Sequence, residues 1–222
     1  MKLRTLLTTF SCISFAITLP AQVIGDFEGA LDPGWALGFN PTTGAPSTTW
    51  ASTGSYSLAM KPSTLNAFSF SLQFNDLVTA QKLASTHKLQ FDVHFISSEW
   101  TDAGGDGYVR WDIASLNSEN GGWSQLGNAN ITDPANPSYP GSWDPNNWGA
   151  SHTRTLTYDF TGLGNNPSGG WGQFNISVNM GNIEAAGNFY IDNVQLVAVP
   201  EPSTLALAGL SSLALMMARR RK

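Results

Sequence analysis

The strongest constraint on this chain is a period of two. Between residues 67 and 197, apolar and polar side chains alternate in run after run, which is the signature of strands with one buried face. Ala67 to Phe74 sets Phe68, Phe70, Leu72 and Phe74 against Ser69, Ser71 and Gln73. His87 to Phe95 sends Leu89, Phe91, Val93 and Phe95 one way, and Gly107 to Ile113 does the same with Val109, Trp111 and Ile113. Thr153 to Phe160 aims Leu156, Tyr158 and Phe160 together; Trp171 to Met180 aims Phe174, Ile176, Val178 and Met180. Phe189 to Val197 closes the series. One window departs: Asp76 to Ala84 spaces Leu77, Ala80 and Leu83 three apart, which predicts one short helix. Gly-, Pro- and Asn-rich stretches at 101–107, 117–150 and 161–170 read as loops. The sum predicts an all-β fold, an antiparallel β-sandwich with one short helix.

The two ends follow other rules. Lys2 and Arg4 precede an uncharged stretch from Thr5 to Leu19, and small Ala21 follows. That is the pattern of a secretory signal peptide over 1–21, with cleavage after Ala21. Cys12, the one cysteine, lies inside it, so the exported domain relies on core burial without a disulfide. At the other end, Pro200-Glu201-Pro202 precedes an uncharged span from Ser203 to Ala218 and then Arg219, Arg220, Arg221 and Lys222. As a helix that span is roughly 24 Å long, short of a hydrocarbon core of about 30 Å. Bilayer thinning and snorkelling basic side chains close the gap, with the basic end on the cytoplasmic side. The expected organisation is a signal helix over 1–21, a sandwich over 22–199 and a tail with a transmembrane helix over 200–222.

Charge is unevenly spread. Residues 22–199 hold five Lys and Arg (Lys61, Lys82, Lys88, Arg110, Arg154) against fifteen Asp and Glu, a net charge near −10. A nucleic-acid-binding face is excluded by that balance; calcium, neutral sugars and basic partners fit it. All eight Trp lie in the same segment, with much Gly, Asn, Ser and Thr, a mixture suited to an extracellular β protein.

The tail from Val199 to Lys222 resembles a PEP-CTERM sorting signal, whose pattern is Val-Pro-Glu-Pro-Ser, an apolar span and an Arg-rich end. The resemblance implies export by the Sec machinery and recognition by an exosortase, with cleavage near the motif formed by Pro200, Glu201, Pro202 and the arginines. It implies a transient membrane anchor, then the cell surface or extracellular matrix. The segment 22–198 resembles the jelly-roll carbohydrate-binding modules of galactose-binding-like type. The resemblance rests on Val23-Ile24-Gly25-Asp26-Phe27-Glu28-Gly29, Trp35, Gly54-Ser55-Tyr56-Ser57-Leu58, Leu89-Gln90-Phe91-Asp92-Val93 and Phe189-Tyr190-Ile191-Asp192-Asn193-Val194.

Three candidate sites follow. The jelly-roll resemblance implies neighbouring first and last strands, with Glu28, Asp192 and carbonyls near Ser55 to Ser57 holding a structural calcium. The alternative is a solvated Glu28 and an Asp192 that hydrogen-bonds a turn. Second, if the strands over 87–95 and 107–113 are neighbours, Asp92, His94, Tyr108, Arg110 and Asp112 share the face opposite the core, with Asn175, Ser177 and Asn179 beside them. Trp100 then supplies a ring for the apolar face of a sugar. The competing reading is a solvated face with cross-strand charge pairs. Third, Trp123, Tyr139, Trp143 and Trp148 either line a glycan platform or fold the long loop back over the sandwich.

Catalysis finds little support in the sequence: fifteen acids could supply the facing pair that glycoside hydrolysis needs, but no local pattern picks one out. There is no G-x-S-x-G elbow and no H-E-x-x-H, and His87, His94 and His152 are scattered. The expectation is a non-enzymatic exported protein that binds exopolysaccharide or another matrix glycan. The alternatives are a structural matrix protein that binds no sugar and a polysaccharide-acting enzyme.

Overall fold

The structure is a computed structural model, and it describes residues 20–38, 43–62, 65, 69–102, 108–127, 142–143 and 152–199. Residues 1–19 of the expected signal helix and the whole sorting tail, 200–222, lie outside these residues. Among the described residues no helix is long and apolar enough to cross a membrane.

In chain order the elements are β1 (Gln22–Gly25), β2 (Trp35–Leu37), β3 (Thr43–Ser47), β4 (Ser57–Lys61), β5 (Ser69–Asn75), α1 (Leu77–Ser85), β6 (His87–Phe95), a 3-10 turn (Ser97–Glu99) and β7 (Thr101–Asp102). There follow β8 (Tyr108–Ser118), β9 (Gly122–Gly127), β10 (Ser142–Trp143), β11 (His152–Tyr158), β12 (Gly172–Gly181), β13 (Ile183–Ala185) and β14 (Phe189–Ala198). They form two six-stranded antiparallel sheets. One runs β11-β6-β14-β4-β3 with β1 also on β14; the other runs β10-β8-β12-β5-β2 with β9 also on β8. A small third sheet pairs β13 with β7. The compact unit runs from Ala21 to Val199.

The alternation in the sequence fills the space between the sheets. Leu89, Phe91, Val93 and Phe95 of β6 are buried, as are Phe174, Ile176, Val178 and Met180 of β12 and Leu156 and Tyr158 of β11. Trp35 anchors one end: its ring meets Phe27, Phe74 and Phe174 at centroid distances of 4.9–5.5 Å, and its indole N–H donates to the Ile24 carbonyl at 2.7 Å. Gly34 before it has φ +90, and a Cβ there would lie 2.8 Å from the Phe74 ring, so only glycine makes this turn. The helix forms where its period of three predicts it, one residue displaced. Asp76 is its N-cap and accepts from the Thr79 amide at 2.8 Å and hydroxyl at 2.6 Å.

Two parts of the expected layout are corrected. β6 and β8 are not neighbours; they lie in opposite sheets, so the face shared by Asp92, His94, Tyr108, Arg110 and Asp112 does not exist. The stretch 117–150 is also not one loop, since β8 runs on to Ser118 and β9 and β10 follow. Within β8 the alternation itself breaks. Ser177 of β12 faces Ile113 and Asn179 faces Arg110, so Trp111 and Asp112 together oppose one residue. This β-bulge shifts the strand's parity. Val109 stays in the core, whereas Ile113 pairs with Ser177 on the opposite face.

Candidate functional site: an amide-lined groove on one sheet

The outer face of the β6–β14 sheet is not open. The segment joining β3 to β4 crosses it as a strap. Trp50 stacks on His94 with centroids 5.1 Å apart and planes 13° from parallel, and His94 Nδ1 hydrogen-bonds Thr153 Oγ1 at 2.8 Å. Tyr190, 1% exposed, lies beside the His94 ring at 5.9 Å. Asp92 is 7% exposed beneath the strap. Its carboxylate accepts from Thr155 Oγ1 at 2.5 Å, from Asn193 Nδ2 at 3.0 Å and from Ser52 Oγ. These groups fasten the strap and are spoken for. Trp100, expected as an open stacking ring, is 3% exposed and packs on Phe95 at 5.4 Å. The short 3-10 turn after β6 brings it back into the core, so it presents no ring to a ligand. For Tyr108, Arg110 and Asp112 the backbone places them in β8, and their side chains lie outside the described residues. Tyr139 and Trp148 lie outside them altogether.

Glu28 and Asp192 do come to one place, the strap segment 52–56. Asp192 is fully buried; its Oδ2 accepts the amides of Ser52 at 2.7 Å and Thr53 at 2.9 Å, and its Oδ1 accepts its neighbour Asn193 at 2.7 Å. Glu28 Oε1 accepts the amides of Ser55 at 2.8 Å and Tyr56 at 3.0 Å. Burial above all, with the Glu28 charge adding to it, pushes the Asp192 carboxyl above its ordinary value against the pull of those amides. The fit to calcium is partial. Two carboxylates converge, yet amide N–H groups face three of their oxygens where a hard cation wants six to eight oxygens. Among the described residues no group of three or more His, Cys, Asp or Glu stands where it could hold a metal ion.

The opposite sheet carries a groove. It has a volume of about 430 Å³ on the outer face of β9, β8, β12 and β5. Cross-strand register sets its lining in rows. Trp123 faces Asn117, which faces Gln173; next come Gln125, Ser115, Asn175 and Gln73; then Ile113, Ser177 and Ser71. Asn179 ends the β12 column. Every lining side chain among the described residues is uncharged, and most are amides or hydroxyls. An amide is a planar group that both donates and accepts, which matches vicinal hydroxyls. Trp123 stands at the β9 rim and is 60% exposed. An indole so placed offers a flat apolar face, which sugars cover with their C–H groups.

The sequence reading caught Asn175, Ser177 and Asn179 as a polar face and set it beside β8, its actual neighbour, but also beside β6, which lies in the other sheet. It missed Gln73, Asn117, Gln125 and Gln173 as site residues. The signal was present: where a solvated strand carries charges, the polar positions of β5, β9, β12 and the later half of β8, from Ser115 on, carry Asn, Gln and Ser.

No curated protein matches the chain. Residues 198–222 match the family model of the PEP-CTERM protein-sorting motif. Among solved structures, the fold is similar to a CBM28 carbohydrate-binding module specific for non-crystalline cellulose, at 14% identity, over 81% of this chain and 96% of that one, with TM-score 0.50. It is also similar to a CBM22 xylan-binding domain, at 16% identity, 84% and 97% coverage and TM-score 0.49. A third is CBM27-1 of Caldicellulosiruptor saccharolyticus, solved with mannohexaose, at 12% identity, 80% and 97% coverage and TM-score 0.47. These neighbours are binding modules, and at such identity the likeness is one of fold. The chain therefore carries a PEP-CTERM protein-sorting motif at its C-terminus, behind a β-sandwich similar in fold to jelly-roll carbohydrate-binding modules.

Proposed function

We propose that this is an exported, exosortase-sorted surface protein whose sandwich binds a neutral polysaccharide chain, without catalysis, in the groove over β9, β8, β12 and β5. The observation that carries this is the groove's lining among the described residues: amides and hydroxyls, no charge, and an exposed indole, Trp123, at the rim. Its volume, about 430 Å³, lies within the usual range for ligand clefts. A domain with net charge near −10 repels anionic glycans, so an uncharged chain is the class that gains from these contacts. The test is calorimetry and affinity electrophoresis of the purified protein against soluble cellulose derivatives, xylan, mannan and the producer's own exopolysaccharide. Binding to a neutral polymer is expected. Retention by none of them sinks the reading and leaves a structural matrix protein. For the sorting part, Glu201→Ala is expected to leave the tail unprocessed in the producing cell, seen as a heavier membrane-bound band; normal processing of that variant refutes it.

Structural calcium at Glu28 and Asp192 is a second proposal. The convergence of the two carboxylates on one strap supports it, because a divalent cation would remove the repulsion that Glu28 adds at Asp192. It requires the strap to turn carbonyl oxygens inward in place of amides. A melting midpoint that rises with calcium chloride and falls with chelator supports the ion, and an unchanged midpoint removes it.

A further inference from the structure

The groove does not end where its enclosed volume does. Trp171 is 45% exposed just before β12 and is absent from the groove's walls. Its side chain nevertheless belongs to the same sheet face. Gly172 points the other way: a Cβ there would lie 2.8 Å from Leu77 Cδ1 and 3.2 Å from Ala80 Cβ, against the helix. Neighbouring strand residues face opposite sides, so Trp171 stands with Gln173 on the groove side. The ladder also holds it in place. Ser118 pairs with Gly172, and the Glu119 amide donates to the Trp171 carbonyl at 3.2 Å, which carries the β8–β12 pairing one residue further.

Trp123 and Trp171 therefore flank the Asn117–Gln173 pair. They are two strands apart and one two-residue step offset, on the order of 12 Å between Cα atoms. A gap of that size exceeds one sugar ring. Both rings are exposed and offer flat apolar faces on which a ligand can stack. Near the Trp171 end, the Glu119 carboxylate is fixed by the Gly170 amide, which places a negative charge beside that position.

We infer that Trp171 is a second stacking ring of the site, so that the groove takes an extended neutral polysaccharide chain lying across the strands and contacting both indoles. This rests on the groove reading above. Anionic sugar units are rejected at the Trp171 end by Glu119.

The test titrates wild type, Trp123→Ala and Trp171→Ala with cello-, xylo- and manno-oligosaccharides from disaccharide to hexasaccharide. Trp171→Ala is expected to weaken hexasaccharide binding by up to roughly tenfold and to leave disaccharide binding unchanged. Trp123→Ala is expected to weaken both, and Trp171→Tyr to restore the hexasaccharide. Equal losses for short and long ligands in Trp171→Ala, or no loss for the hexasaccharide where wild type binds it, overturn this inference and leave the groove standing. A wild type that binds neither oligosaccharide nor polymer overturns the groove reading and this one with it.

Discussion

Asp192→Ala should destabilise the protein more than any exposed carboxylate change. The side chain is fully buried and accepts three amide N–H groups, from Ser52, Thr53 and Asn193. A hydrogen bond to a charged acceptor contributes about 1.5–3 kcal/mol. Three such bonds do not add to their full sum, because the charge is itself costly to bury, as the raised carboxyl value records. Water entering under the strap also satisfies part of what is lost. A net cost of about 2–4 kcal/mol follows. For a unit of this size each kcal/mol lowers the melting midpoint by roughly 2–4 °C, so a fall of about 5–15 °C is expected. Calorimetry of wild type, Asp192→Ala and Glu28→Ala is the assay. Glu28 fixes the same strap through two amides but is exposed, so its loss should cost less than half as much. If the two variants melt alike, or if Asp192→Ala stays within about 2 °C of wild type, the strap is not anchored as described.

Trp123→Ala removes an indole face of roughly 75 Å², about half of the exposed area of a 60%-exposed Trp. At about 25 cal/mol per Å² this is ~2 kcal/mol, or roughly 20-fold in Kd for the polysaccharide, with an unchanged melting curve; a shift under twofold by calorimetry contradicts the rim role. The pH dependence of Asp192 has a definite sign. A carboxyl raised in the folded state holds its proton more tightly there, so stability is lost as pH rises from the ordinary carboxylate value through the raised one. The margin of wild type over Asp192→Ala in denaturant titrations should thus be widest at the acidic side of that window and narrow toward neutrality; a margin that widens with pH contradicts the assignment. Gly172→Val drives a branched side chain toward Leu77 and Ala80 and should cost about 1–3 kcal/mol, more than Gly172→Ala. A valine variant that melts like wild type would show that the helix yields freely.

Strands with an unbroken one-sided pattern were legible from their residues. β6 and β12 keep their phase because all their apolar side chains meet one core. The helix was legible from Leu77, Ala80 and Leu83, since Ala80 and Leu83 lie on its buried face. β8 was half legible: the bulge at Trp111 and Asp112 reverses parity midway, and nothing in Gly107 to Ile113 marks it. β9 was hidden because Gly121, Gly122 and Gly127 look like loop residues, although Gly122 at φ +75 is what lets the chain turn back onto β8. Trp100 was misjudged because exposure of a Trp after a strand depends on where the chain turns, which only the 3-10 turn decides. The mistaken pairing of β6 with β8 has a deeper cause. Alternation gives each strand two faces but does not name its neighbour.

β14, the last strand, lies inside its sheet. It holds β6 along one side and shares the other between β4 and β1, with Asn193 at φ 51 marking the change of partner. Three strands made earlier thus wait for residues 189–198 before their sheet can close. Until those residues emerge, β6 lacks its central neighbour and Asp92 lacks Asn193. A chain ending before Phe189 should therefore show no cooperative melt, and one that melts like wild type would refute this order of events. On the export reading proposed above, the delay is useful: a sandwich that cannot close early remains threadable during translocation. Completion of the domain and appearance of the sorting motif then fall at nearly the same moment in the life of the chain, since the motif begins where β14 stops.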